Sequence, residues 1–124
     1  MQKILEQAPI DPQAQLALDM FIYHVQKKIG AFMAVLEGVD VIIFSGGIGE
    51  NGWKIRQKIA EALLWYSVAI DEKKNELCTG LKPSEIHCIS QPDSKVTICV
   101  VGCDENLFIA EEMTKILSSF EHGR

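Results

Sequence analysis

The sequence predicts an α/β fold with two main parallel strands covered by helices. Three observations predict it. Residues 39–44 (VDVIIF) and 96–101 (VTICVV) are near-continuously apolar and rich in β-branched side chains, as strands buried on both faces are. Each run precedes a segment with helical periodicity, the alternation that builds parallel sheets. The 124 residues, 48% apolar and 23% charged, suffice for one domain with a real core.

The elements follow in order. Residues 1–10 are mildly helical, with Ile4, Leu5 and Ala8 ahead of Pro9. Asp11-Pro12 is a helix start, because Asp11 caps free backbone N–H groups and proline at the first position sacrifices no bond. Leu18, Phe21, Ile22, Val25, Ile29, Phe32, Met33 and Leu36 then form one apolar stripe, ending at Glu37-Gly38. Gly30 interrupts this helix and reads as a point of close backbone packing. After the first strand, residues 45–49 form a glycine-rich turn, and Asn51 opens a second helix carrying Ile55, Ile59 and Leu63. Residues 68–70 read as a short edge strand, 79–84 as a loop, and 86–90 as another short strand. Beyond the second strong strand, Ile109, Met113, Ile116, Leu117 and Phe120 mark a last amphipathic helix. Two parallel strands make a thin sheet, which suggests part of a domain.

Composition excludes several classes. A net charge of −5 and a pI near 5.1 disfavour nucleic acid and anionic membranes as partners, since phosphates reward clustered Lys and Arg. A mean hydropathy of +0.10 excludes a disordered chain. No membrane-spanning run and no secretory leader is legible, so a cytoplasmic location is expected. Cys78, Cys88, Cys99 and Cys103 show neither Cys-x-x-Cys nor zinc spacing, and are expected as buried free thiols.

The informative segment is 44–52 (FSGGIGENG). It joins a buried strand to a helix amino terminus, where free N–H groups favour an anionic or polar ligand and glycine admits close approach. A plain strand-to-helix turn is the bland alternative. Gly47-x-Gly49-x-x-Gly52 also fits a dinucleotide fingerprint, with Asp71 placed 19 residues after Gly52 as a ribose-binding acid. That reading has faults: a long helix precedes the unit, the next strand is very short, and Trp53 follows the packing glycine.

A kinase reading rests on more residues. Phe44-Ser45-Gly46-Gly47-Ile48-Gly49-Glu50-Asn51 and then Arg56 resemble the carboxy-terminal portion of acetate kinases and their butyrate and propionate kinase relatives. The resemblance continues through Ile29-Gly30-Ala31-Phe32, Gly38-Val39-Asp40, Ile70-Asp71, Lys74-Asn75, Ile89-Ser90, Asp93-Ser94, Asp104-Glu105 and Ile109-Ala110, covering nearly all of residues 1–124.

The resemblance implies a partial RNase-H-like domain of the actin-like ATPase and sugar kinase superfamily. It implies reversible transfer of the ATP γ-phosphoryl group to acetate or another short carboxylate, giving acetyl phosphate and ADP. It assigns Gly47, Ile48, Gly49, Glu50 and Asn51 to the nucleotide and Glu105 to Mg²⁺, for which a carboxylate is a suitable hard ligand. Asn51 also reads as a helix N-cap, Glu105 as a helix-dipole residue, and Arg56 as a partner of Glu50 or phosphate or a surface side chain. The chain departs from the family at Gly102-Cys103, where Pro-Thr is usual, and at Asn106, where a second glutamate is usual. The family's catalytic groups lie upstream of the region resembled, and Gln2 falls where a nucleotide-contacting arginine is usual. The chain is therefore expected to hold no catalytic residue, to be inactive alone, and to self-associate or pair with an upstream half through an exposed strand edge. A non-catalytic interaction module retaining the fold is the alternative.

Overall fold

A computed structural model describes residues 1–104 and 109–116. Two helices open the chain, α1 (Gln2–Gln7) and α2 (Pro12–Val35). The Asp11 carboxylate accepts the Gln13 amide at 2.9 Å, and Pro12 occupies the first turn as the sequence predicts. Glu37 and Gly38 both take positive φ, 57° and 126°, and the Gly38 amide returns to the Met33 carbonyl at 2.9 Å. This left-handed pair ends the helix. Ala14, Leu18, Ile22 and Met33 are buried, but Phe32 and Leu36 face outward at its last turns. Gly30 is not a close-packing point, for a Cβ there would meet nothing within 4 Å.

Strand β1 (Val41–Phe44) leads into α3 (Gly46–Asn51) and α4 (Trp53–Glu61), followed by a 3₁₀ turn at Leu64–Tyr66 and α5 (Glu72–Leu77). Strands β2 (Ile86–Cys88) and β3 (Thr97–Val101) complete a three-stranded sheet of order β1-β3-β2. The predicted pairing of the two strong strands is parallel, with Val41 opposite Thr97 and Phe44 opposite Val100. β2 runs antiparallel to β3, with Ile86 opposite Val101 and Cys88 opposite Cys99. The expected strand at 68–70 reduces to one bridge, Ile70 to Ser90. Residues 109–116 are helical, with Ile109, Met113 and Ile116 exposed.

Among the described residues the sheet is buried on one face only. Ile98 and Val100 are fully buried against Ile55, Ile59, Leu18 and Ile22, with Ile42 and Phe44 packed beside them. On the opposite face Val41 is 47% exposed, Ile43 61% and Ile86 67%. This corrects the expectation of helices on both faces. Apolar side chains occupy the outward positions too, so the one-sided burial leaves no polar alternation in the sequence. The thiols are free as expected, but only Cys78 is buried. Cys88 and Cys103 are exposed and Cys99 is half-buried.

Candidate functional site

The glycine segment lies at the carboxy-terminal end of the parallel pair, where open α/β sheets place ligands. It is not the turn predicted from composition. Residues 46–51 close into a helix of their own, starting directly after β1. Asn51 therefore ends α3, and Gly52 occupies the N-cap of α4. The early turn arises because Gly46 adopts φ +71°, which lets the chain leave the strand and coil at once. Gly52 is required by packing, since a Cβ would sit 2.5 Å from the Ile48 carbonyl oxygen. At Gly49 a Cβ would press on the Phe44 backbone at 3.2 Å.

Gly47 differs from both. A Cβ there would meet nothing within 4 Å, so the fold makes no demand for glycine. It lies in the first turn of α3, one residue after Gly46. Gly47, Ile48 and Asn51 line a cleft of about 500 Å³ whose other wall is Met1, Gln2 and Leu5. That volume is in the range of small-molecule sites, roughly 300–1,000 Å³.

Glu50 turns the other way. Its side chain is buried, and Oε1 accepts the Gly46 amide at 3.0 Å and the Cys103 amide at 2.9 Å. One carboxylate thus ties the exit of β1 to the exit of β3. Asn51 donates from Nδ2 to the Gly47 carbonyl at 3.2 Å, and its Oδ1 accepts the Gly80 amide at 3.1 Å. Both side chains hold α3 in place, while the α3 surface at Gly47 and Ile48 faces the cleft.

Beneath α3 lies Arg56, fully buried. Its Nε donates to Asn75 Oδ1, one terminal nitrogen to the Gly49 and Glu50 carbonyls, and the other to the Asn75 and Cys78 carbonyls, all at 2.7 Å. All five guanidinium donors are used, and no carboxylate is among their acceptors. Burial lowers the Arg56 pKa from its usual range, and burial raises that of the Cys78 thiol, which the nearby guanidinium partly offsets. Asn75, also fully buried, donates to the Trp53 carbonyl at 2.9 Å and locks α5 to the start of α4. The sequence reading missed this network. Its signal was available: Arg56 falls between Ile55 and Ile59, on the inward face of a short amphipathic helix.

Asp71, the candidate ribose acid, caps α5 by accepting the Lys74 amide at 3.1 Å. The dinucleotide reading also lacks its second parallel strand, since residues 68–70 form a single bridge. Glu105, the candidate Mg²⁺ ligand, lies outside the described residues, directly after Asp104 at the exit of β3. Among the described residues no three His, Cys, Asp or Glu side chains converge as a metal cluster. His24 and His87 are exposed and line no part of the cleft.

The model of the Acetokinase family matches residues 1–111. The chain belongs to the acetokinase family. The acetate kinase of Rickettsia felis is 43% identical over 106 residues, which are 86% of this chain and 26% of the relative. That of Parabacteroides distasonis is 40% identical over 107 residues, with the same two shares. Among solved structures, Porphyromonas gingivalis acetate kinase superposes with a TM-score of 0.76 at 36% identity, covering 94% of this chain and 28% of that one. Entamoeba histolytica acetate kinase gives a TM-score of 0.79 at 29% identity over 92% of this chain. This acetokinase chain spans about a quarter of the length of the relatives it matches, and its mixed sheet with one parallel pair matches a portion of the acetate kinase fold.

Proposed function

We propose that the chain is the carboxy-terminal, nucleotide-side part of an acetate-kinase-type phosphotransferase, built on a partial RNase-H-like domain. The observation that carries this reading is Gly47: a glycine the fold does not require, in the first turn of α3, on the wall of a cleft of ligand size. A backbone left bare at a helix amino terminus suits close approach of a phosphate or other polar group. In this reading Gly47 and Ile48 present that backbone to ATP or ADP, and Gly49, which does not line the cleft, lets α3 pack on the Phe44 backbone. Glu50 and Asn51 fix its position, with Asn51 at the cleft margin. Arg56 adds buried positive charge beneath α3, on the side away from solvent.

Mg²⁺ would neutralise phosphate charge, and Glu105, next in sequence after Asp104, is the proposed carboxylate. A hard cation needs only one or two protein carboxylates beside phosphates and water, so the donor chemistry fits. The acyl acceptor is acetate or another short carboxylate. The cleft residues named here are uncharged, and phosphoryl transfer depends on charge stabilisation. This part therefore binds, and the transfer step needs residues from an upstream half. A cytoplasmic location is part of this reading. No described helix is long and apolar enough to cross a membrane.

Calorimetric titration with ADP, ATP and NAD, each with Mg²⁺, tests the reading. The expected result is saturable binding of adenine nucleotides alone, abolished in Gly47→Val while the thermal transition is kept. Absence of nucleotide binding, or equal binding by Gly47→Val, would overturn it. The open apolar face of the sheet favours a second reading, an interaction module without chemistry. Adding the upstream portion of a related acetate kinase in trans separates the two: acetyl phosphate synthesis marks a split kinase, and binding without synthesis marks the module.

A further inference from the structure

The open face of the sheet carries two thiols directly opposite one another. Cys88 on β2 and Cys99 on β3 are register partners. The Ile89 amide donates to the Ile98 carbonyl at 2.8 Å and the Gly102 amide to the Glu85 carbonyl at 2.9 Å. Antiparallel pairs alternate, so the 89/98 and 85/102 pairs fix Cys88/Cys99 as a non-hydrogen-bonded pair. In such pairs the Cα atoms lie about 4.5 Å apart and the side chains are at their closest. Disulfides span Cα separations of about 4.4–6.8 Å, so this site accepts one without moving either strand.

We propose that Cys88 and Cys99 form a reversible cross-strand disulfide by exchange with a low-molecular-weight disulfide. The two thiols are unequal. Cys88 is exposed, and its sulfur lies 3.2 Å from the Ser90 hydroxyl. That contact, with smaller help from the Lys74 charge, holds Cys88 below the ordinary thiol range. Burial raises Cys99, and the neighbouring Cys88 raises it further. Cys88 is thus the attacking thiol and Cys99 the resolving one.

The Cys88 thiolate attacks one sulfur of the small disulfide, forming a mixed disulfide and releasing one small thiolate. Cys99 then gives up its proton and attacks the Cys88 sulfur, closing the protein disulfide and releasing the second thiolate. Two protein thiols lose two electrons, the small disulfide gains them, and the two protons end on the released thiols.

Glutathione disulfide is the probe, applied to the full chain, followed by alkylation and peptide mapping. The expected product is lighter by about 2 Da, with the Cys88 and Cys99 peptides joined, and dithiothreitol reverses it. Cys103→Ser gives the same product. Cys99→Ser stops at a glutathione adduct on Cys88, and Cys88→Ser reacts at Cys99 about tenfold more slowly. Buried Cys78 stays unmodified in all of them, which reports that the fold is intact. Stable glutathione adducts on the unsubstituted chain without closure, or a disulfide that joins two copies or recruits Cys103, would overturn the proposal.

Discussion

Arg56 brings a full positive charge into the interior and surrounds it with carbonyl oxygens and one amide rather than with a carboxylate. Its value lies in geometry, because a planar fork with five donors reaches α3, α5 and the residue after α5 at once. Arg56→Met should therefore leave several buried carbonyls unpaired, at about 1–3 kcal/mol for each. The expected loss is about 4 kcal/mol or more, read as a fall in the urea midpoint, with Arg56→Lys falling less because charge remains. Asp71 supplies a second test at this scale. Its carboxyl is held below the usual range, chiefly by the Lys74 amide, with desolvation opposing and the Lys74 charge adding to the lowering. A depressed carboxyl stabilises the fold above its unfolded pKa, and that contribution disappears as pH falls through the folded value. Asp71→Ala should be less stable than the parent at pH 7, and the gap between their urea midpoints should close below about pH 4.

At the scale of elements, α2 was legible at both ends because its signals are local: Asp11-Pro12 at the start and a Glu37-Gly38 pair at the stop. The parallel strands were legible because β-branched runs are local as well. The helix at 46–51 was not. Glycine content argues for a turn, whereas bonds from distant parts of the chain, from Arg56 to the Gly49 and Glu50 carbonyls, from the Cys103 amide to Glu50 and from the Gly80 amide to Asn51, hold these residues as a helix. The one-sided sheet was hidden for a similar reason, since Val41 and Ile43 look like core in any window of sequence. The family resemblance was legible in the order and spacing of short motifs, and the similarity to known acetate kinases bears it out. Gly30 shows the opposite error, a glycine read as a packing contact that touches nothing. Gly30→Ala should raise stability by about 0.5–1 kcal/mol, measured as a higher midpoint in urea or heat.

For the molecule as a whole, Val41, Ile43 and Ile86 are exposed on a sheet whose outer strands, among the described residues, are β1 and β2. Exposed apolar strands at a sheet edge invite pairing with another chain. Sedimentation of the purified chain should show mass rising with concentration, and Ile43→Lys should shift it toward the monomer. A monomer at every concentration in the parent would count against that surface as an interface.

The Glu50 carboxylate gives this arrangement a mechanical property. By accepting both the Gly46 and the Cys103 amides, it works as a shared pivot for two segments far apart in the chain. Removing that one carboxyl, as in Glu50→Ala, would leave the Gly46 and Cys103 amides without their shared acceptor and loosen both strand exits at once.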